Sequence, residues 1–408
     1  MLAKLQALPS AVKQYLVVTG NYWAFTLTDG ALRMLVVLYF HQLGFDPLSI
    51  AMLFFFYELF GVVTNLVGGY LGAKIGLNRT MNIGLGLQVF ALAMLLVPTS
   101  WLTIVWVMIA QALSGIAKDL NKMSAKSSIK LLVPDDAQGK LYQWVAILTG
   151  SKNTLKGVGF FLGGVLLTCF GFQLAILIMA VALALVWVLS LVLLKQDLGK
   201  ATTKPKFSQL FSKSRAINYL SGARMFLFGA RDVWFVVALP VFLASQFDWD
   251  HWYVGGFMAL WVIGYGIVQS FAPHFTGKKQ GKVPDGKAAF IWAALLAGIP
   301  ALIALSLSYE VAIETALIGG LMLFGVVFAI NSSLHSYLIV SYADGDGVSL
   351  DVGFYYMANA MGRLIGTVLS GWLFGSYGLV VCLWVSAIFV VMAALLSLSL
   401  PRHTHSEV

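Results

Sequence analysis

Lys152 and Lys156 stand four residues apart in K-N-T-L-K-G-V-G-F-F-L-G-G (Lys152 to Gly164), inside a run, 141–172, that is otherwise apolar. Counted as helix from Leu141 at about 1.5 Å per residue, their charges lie roughly 16 and 22 Å into a hydrocarbon layer about 30 Å thick. A spacing of four puts both on one helix face. A charge so deep costs at least about 2.5 kcal/mol, so it is expected to face a watery cavity or a partner. Six more basic residues fall in apolar runs: Arg33, Lys118, Lys122, Arg224, Arg231 and Arg363. Arginine offers a planar fork to phosphate or carboxylate, and lysine a compact point charge. The acids in the same runs are Asp29, Glu58, Asp119 and Asp232. Eight cations against four acids favour an anionic ligand.

Each of these charges has a structural reading beside the functional one. Asp29 and Arg33 are four apart, which suits a local ion pair. Alternatively, Arg33 offers its fork to substrate and Asp29 is its counter-ion in the empty site. Glu58 has no basic residue within a turn; it is either a silent protonated acid or a proton carrier. Lys118, Lys122 and Lys126 share a face. Snorkelling to the headgroups explains Lys126 and Lys122, and Lys118 lines the cavity, while Asp119 pairs with a neighbouring base. Arg231 and Asp232 are adjacent and so point about 100° apart, a poor mutual pair. Arg224 is a gate residue or an anchor. Asn153, Asn331 and Tyr356 are polar candidates for the same cavity, as is His335, although such side chains also join helices. The expected binding set is Arg33, Lys118, Lys152, Lys156, Arg231, Arg363, Asn153, Asn331 and Tyr356. Asp29, Glu58, Asp119 and Asp232 are the expected counter-ions or proton-coupling groups. Cys169 and Cys382 lack metal-ligand spacing, and no nucleophile–base pair is visible. The expectation is a protein without metal or cofactor, and not an enzyme.

The elements that must hold these residues are membrane helices. Sixty per cent of the chain is apolar and 11% charged, against about 25% charged in ordinary soluble domains. Spans are expected at 15–43, 48–72, 80–98, 101–125, 141–170, 172–194, 216–244, 252–273, 287–307, 311–340, 351–375 and 378–400. That is an all-α membrane protein of twelve transmembrane helices. It divides into a six-helix bundle at 1–194, a cytoplasmic linker at 195–215 and a second six-helix bundle at 216–408. Of the 26 Lys and Arg, those outside the spans fall in the termini and alternate loops, with Asp46, Asp248, Asp250 and Glu310 in the others. The positive-inside rule then makes both termini cytoplasmic. The net charge of +9 is this topology signal, and no nucleic-acid partner is expected. A shift of 207 residues superimposes Gly159 on Gly366, Gly164 on Gly371, Gly171 on Gly378 and Lys156 on Arg363, an internal repeat of the two halves. The glycines after Lys156 are expected to let a neighbouring helix approach closely.

G-Y-L-G-A-K-I-G-L-N-R (Gly69 to Arg79) resembles the loop between helices two and three of the major facilitator superfamily, and the likeness extends over the whole chain. It keeps Gly69, Lys74, Gly76 and Arg79, which the resemblance implies are gating residues, with Ala73 where the family carries an acid. The resemblance implies two six-helix bundles rocking about a midplane site. Closer still, the chain resembles the organoarsenical efflux permeases, the ArsJ family. The strings that carry this are G-N-Y-W-A-F-T-L-T-D-G-A-L-R-M-L-V-V-L (Gly20 to Leu38) and Y-E-L-F-G-V-V-T-N-L-V-G-G (Tyr57 to Gly69). G-L-N-R-T-M-N-I-G-L-G-L-Q (Gly76 to Gln88) and K-D-L-N-K-M-S-A-K-S-S-I-K (Lys118 to Lys130) extend it. It implies export of 1-arseno-3-phosphoglycerate, made from arsenate by glyceraldehyde-3-phosphate dehydrogenase. It also implies arsenate resistance and a monomer in a bacterial inner membrane. The alternatives are a multidrug/proton antiporter, whose cavity would want a carboxylate for cations, and another organophosphate or anion transporter.

Overall fold

The computed structural model describes residues 9–45, 53–134, 137–194, 198–202, 213–249, 251–276 and 283–402. Asp46, Asp250 and much of the basic linker, with Lys278, Lys279 and Lys282, lie outside them. The described residues form twelve α-helices. These are α1 (Ser10–Gln42), α2 (Phe55–Ile75), α3 (Leu77–Met94), α4 (Ile104–Leu132), α5 (Gln138–Leu193) and α6 (Arg215–Phe235). After them come α7 (Ala238–Gln246), α8 (His251–Phe275), α9 (Gly286–Ser308), α10 (Ile313–Tyr342), α11 (Val348–Tyr377) and α12 (Leu379–Ser397). Helices and expected spans agree in order but not one to one. α5 runs through the fifth and sixth spans, and α6 with α7 makes up the seventh.

Glycine sets two of these joints. Gly171 interrupts α5 at φ 70°, ψ 176°, and Gly378 separates α11 from α12 at φ 81°, ψ −178°. Only glycine adopts that region without strain. These are the two residues that the 207-residue shift superimposes, so the repeat extends to backbone conformation. Between α6 and α7, the N–H groups of Val237 and Ala238 donate to the Ser370 hydroxyl at 3.3 and 3.1 Å. Elsewhere, polar side chains start helices: Thr103 accepts from the Trp106 N–H and Asp285 from those of Lys287 and Ala288. Each cap satisfies N–H groups that the first turn leaves open.

Seven helical segments among the described residues are long and apolar enough to cross a membrane. α2, α3, α4 and α11 are not among them, because residues such as Glu58, Asn82, Lys118 and Arg363 interrupt them. The outer surface is apolar: Leu185, Leu189 and Leu193, at helical spacing on α5, are 63, 59 and 58% exposed. The inside carries the polar groups, with Asp29, Asp119, Arg224 and Asp232 all buried. Lipid as solvent produces that inversion, since it solvates leucine and not charge.

The chain divides into two compact units. One takes Met1–Leu141, Ser151–Ser212 and Ala343–Met357; the other takes Tyr142–Gly150, Lys213–Tyr342 and Ala358–Val408. In the first, α1 and α5 meet at glycine. A Cβ at Gly159 would lie 2.7 Å from the Leu27 carbonyl oxygen and 3.1 Å from Gly30 Cα. The close approach expected of this stretch therefore occurs. α2 and the start of α11 meet likewise: a Cβ at Gly353 would lie 2.9 Å from Gly69 Cα. In the second unit, Gly362 and Gly366 of α11 meet the backbone of α6 at Met225 and Gly229.

Candidate functional site

The first unit gathers charge around Tyr57. Tyr57 lies in the first turn of α2, and its main chain lies against Gly115 of α4. A Cβ at Gly115 would be 2.8 Å from the Tyr57 carbonyl oxygen. Lys118, three residues on and on the same face of α4, thereby comes over the Tyr57 ring, its ammonium 3.9 Å from the centroid. Arg33 of α1 lies over the same ring at 5.1 Å and over Phe54 at 5.0 Å. Its Nη2 reaches Glu58 Oε1 at 3.2 Å, both side chains partly exposed. The Tyr57 hydroxyl donates to the two oxygens of Asp29, each 2.9 Å away.

Two sequence expectations are corrected here. Asp29 and Arg33 do not form the local pair that their spacing allows, because Tyr57 takes the carboxylate and Glu58 takes the guanidinium. Glu58 is accordingly not a lone acid: its partner comes from α1, far away in sequence. Further along α4, Lys122 Nζ sits 2.7 Å from Asp119 Oδ1 and 4.7 Å above the Tyr356 ring. Lys126, expected to snorkel outward, is instead only 2% exposed. On α5, Lys152 donates to Asn153 Oδ1 at 3.2 Å, and Lys156 is half-buried.

The second unit holds a carboxylate shared by two guanidinium groups. Arg231 Nε donates to Asp232 Oδ1 at 2.6 Å, and Arg363 Nε donates to Oδ2 at 3.1 Å. Adjacent residues were expected to make a poor pair; here the long Arg231 side chain folds back across the helix to its neighbour. Its guanidinium also lies over the rings of Phe228, Phe328 and Phe235, 5.0 to 5.8 Å away. Asp232 is fully buried, while the arginine side chains are 15 and 29% exposed. Asn331 is fully buried, its amide donating to the carbonyl oxygens of Trp292 and Val327 at 2.8 and 3.0 Å. That joins α9 to α10.

Two groups outside the expected binding set are also buried. Tyr57 carries no charge and stands in an aromatic stretch of the sequence, F-F-F-Y (Phe54 to Tyr57), yet it is 2% exposed. Arg224 is no surface anchor: it is 3% exposed, and its fork meets Asn359 Oδ1 at 2.9 Å and the Ser332 carbonyl at 3.1 Å. Ser332 Oγ also accepts from Tyr265 and Gln269 at 2.9 and 3.0 Å. The Ser-Ser pair in the middle of an apolar span was the available signal.

The expected gate loop has a partner of its own. Gly76 adopts φ 94°, ψ 152° between α2 and α3, and Lys74 and Arg79 are exposed. Ala73, standing where the family has an acid, accepts the Ala201 N–H at 2.9 Å, and Leu77 N–H donates to the Leu198 carbonyl at 2.7 Å. Thr202 in the same short stretch donates its N–H and hydroxyl to Asp346 at 2.8 and 2.7 Å. Next to this, Ser349 Oγ donates to the Gly69 carbonyl at 2.8 Å.

Known proteins share this architecture. The human organic anion transporter MFSD10 (TETRAN) superimposes with a TM-score of 0.77 at 15% identity, over 96% of this chain and 100% of that one. A bacterial homologue of the iron transporter ferroportin, in an outward-facing state, gives 0.73 at 15% identity over 96 and 99%. The E. coli fucose:proton symporter FucP gives 0.72 at 10% identity over 95 and 98%. At these identities the likeness carries the fold alone. No curated protein matches by sequence. The family model described as Major Facilitator Superfamily matches residues 18–284, about two thirds of the chain. With the buried charges, the apolar outer surface and the all-helical fold, that match makes this chain a transporter rather than an enzyme: it belongs to the major facilitator superfamily.

Proposed function

We propose that this protein exports a small organic anion, 1-arseno-3-phosphoglycerate, and thereby confers resistance to arsenate. One observation supports the anionic class above the others. The Lys118 ammonium stands on the Tyr57 ring with no hydrogen-bond or ion-pair partner among the described residues. A lysine so placed in a membrane helix is costly, and cation–π contact offsets only part of that cost. An anionic ligand supplies the missing acceptor. Arg33 beside it, and Arg231 and Arg363 in the second unit, keep partial exposure while holding their carboxylates. A multidrug antiporter for cations has no use for such a surplus of positive charge.

The organoarsenical itself comes from the sequence strings that resemble the ArsJ permeases. Its formation by glyceraldehyde-3-phosphate dehydrogenase makes that enzyme the functional partner. The distribution of lysine and arginine supports cytoplasmic termini, the ArsJ resemblance supports a bacterial inner membrane, and the Gly69–Arg79 turn is read as the gate.

Inverted vesicles test the substrate. Arsenic is expected to accumulate from arsenate only when the dehydrogenase, glyceraldehyde-3-phosphate and the nicotinamide cofactor are present. Undiminished accumulation from arsenate alone would leave a simple oxyanion exporter. Lys118→Gln and Lys156→Gln keep length and polarity but remove charge. Each is expected to lower that uptake about tenfold or more, the worth of one charged hydrogen bond, with unchanged protein in the membrane.

A further inference from the structure

We infer that Tyr57 is a positioning residue for the anion: its hydroxyl holds the Asp29 carboxylate away from Lys118, leaving that ammonium open to substrate while Glu58 holds Arg33. The inference rests on the anion-site reading above and adds to it a residue with a separate role.

The geometry supports each part. Asp29 is 6% exposed, and a buried carboxylate must be paired or hydrogen-bonded. Arg33 lies one turn away on the same face of α1, the natural partner by spacing. It is nevertheless turned to Glu58 at 3.2 Å. What Asp29 has instead is the Tyr57 hydroxyl, 2.9 Å from both of its oxygens. The same ring is the platform under Lys118 at 3.9 Å and Arg33 at 5.1 Å. One side chain therefore satisfies the acid at its polar tip and holds the cations on its face. Its position is fixed by the close contact of its main chain with Gly115. A phenyl ring would keep the platform and release the acid. In a low-dielectric interior a released carboxylate attracts a nearby flexible cation strongly, and the Lys118 ammonium rests on the same ring whose hydroxyl holds Asp29. Substrate would then have to break an internal ion pair before binding.

Calorimetric binding of 3-phosphoglycerate, a stable three-carbon anion with phosphate and carboxylate ends, to the purified full chain reads this out. Tyr57→Phe is expected to weaken binding about tenfold, the effect of losing one charged contact. Adding Asp29→Asn to Tyr57→Phe is expected to return affinity to within a few fold of wild type, because the competing charge is gone. Transport should follow, with KM raised and then restored while kcat changes little. If the stranded acid keeps Tyr57→Phe from folding, recovery of folded, binding protein by Asp29→Asn is the expected result. Lys118→Gln separates the two levels of the argument. If it binds 3-phosphoglycerate as wild type does, or wild type does not bind it, the anion site and the role of Tyr57 both fall. If Lys118→Gln binds weakly but Tyr57→Phe is unaffected, or is not rescued by Asp29→Asn, the anion site stands and Tyr57 is only packing.

Discussion

Asp232→Asn is expected to cost the fold about 3–5 kcal/mol, the usual penalty for removing one partner from a buried ionic cluster. The carboxylate is fully buried and takes Arg231 on one oxygen and Arg363 on the other. Asparagine keeps the shape but removes the negative charge that both guanidinium groups share. Thermal unfolding of the detergent-solubilised protein should show a large fall in Tm. Arg363→Gln alone should be much milder, since Asp232 keeps Arg231. Adding Arg231→Gln and Arg363→Gln to Asp232→Asn should recover most of the loss, because neutral groups need no counter-charge. An unchanged Tm in Asp232→Asn would refute the shared-carboxylate account.

The second large effect is steric. A methyl group at Gly362 would lie 2.0 Å from the Met225 carbonyl oxygen, and one at Gly163 would lie 2.3 Å from that of Ala31. Both obstacles are backbone and cannot rotate away, so α6 and α11, or α1 and α5, must separate. Overpacking of a core typically costs about 1–3 kcal/mol and sometimes more. Here the separation would also break up the contacts around Asp232 or Gly30, so Gly362→Ala and Gly163→Ala are expected to yield little monodisperse protein on gel filtration. Gly164→Ala and Gly371→Ala serve as controls. A Cβ at Gly164 meets only Leu38 Cδ1, at 3.8 Å, and one at Gly371 meets nothing within 4 Å. Equal yields for Gly163→Ala and Gly164→Ala would overturn the proposed crossing.

That contrast marks how far the sequence reaches. The pair Gly163-Gly164 announces a close helix contact, but nothing in its spacing says which glycine faces α1. The class of protein was legible without coordinates, because a bilayer demands long apolar runs and tolerates few charges. Those constraints are local and additive along the chain. The repeat was legible too, since Gly171 and Gly378 mark joints where the backbone needs a positive φ. Most buried charges were legible for the same reason: Asp29, Asp119, Arg224 and Asp232 stand in apolar runs, whereas Lys126, beyond the end of its expected span, is buried against expectation.

Their partners were not. Spacing predicts only contacts within one helix, and by that rule Asp29 belonged with Arg33 while Glu58 stood alone. Tertiary structure pairs Asp29 with Tyr57 and Arg33 with Glu58 across α1 and α2. It brings Arg363 to Asp232 over 131 residues of chain and lays Lys118 on the face of Tyr57. Such pairings depend on the rotation of each helix about its axis, which packing around Gly30, Gly115 and Gly366 sets to within a side chain's width. The sequence supplies the charges and the small residues that let helices meet; only the packed helices decide which charge each acid neutralises and which is left open to a ligand.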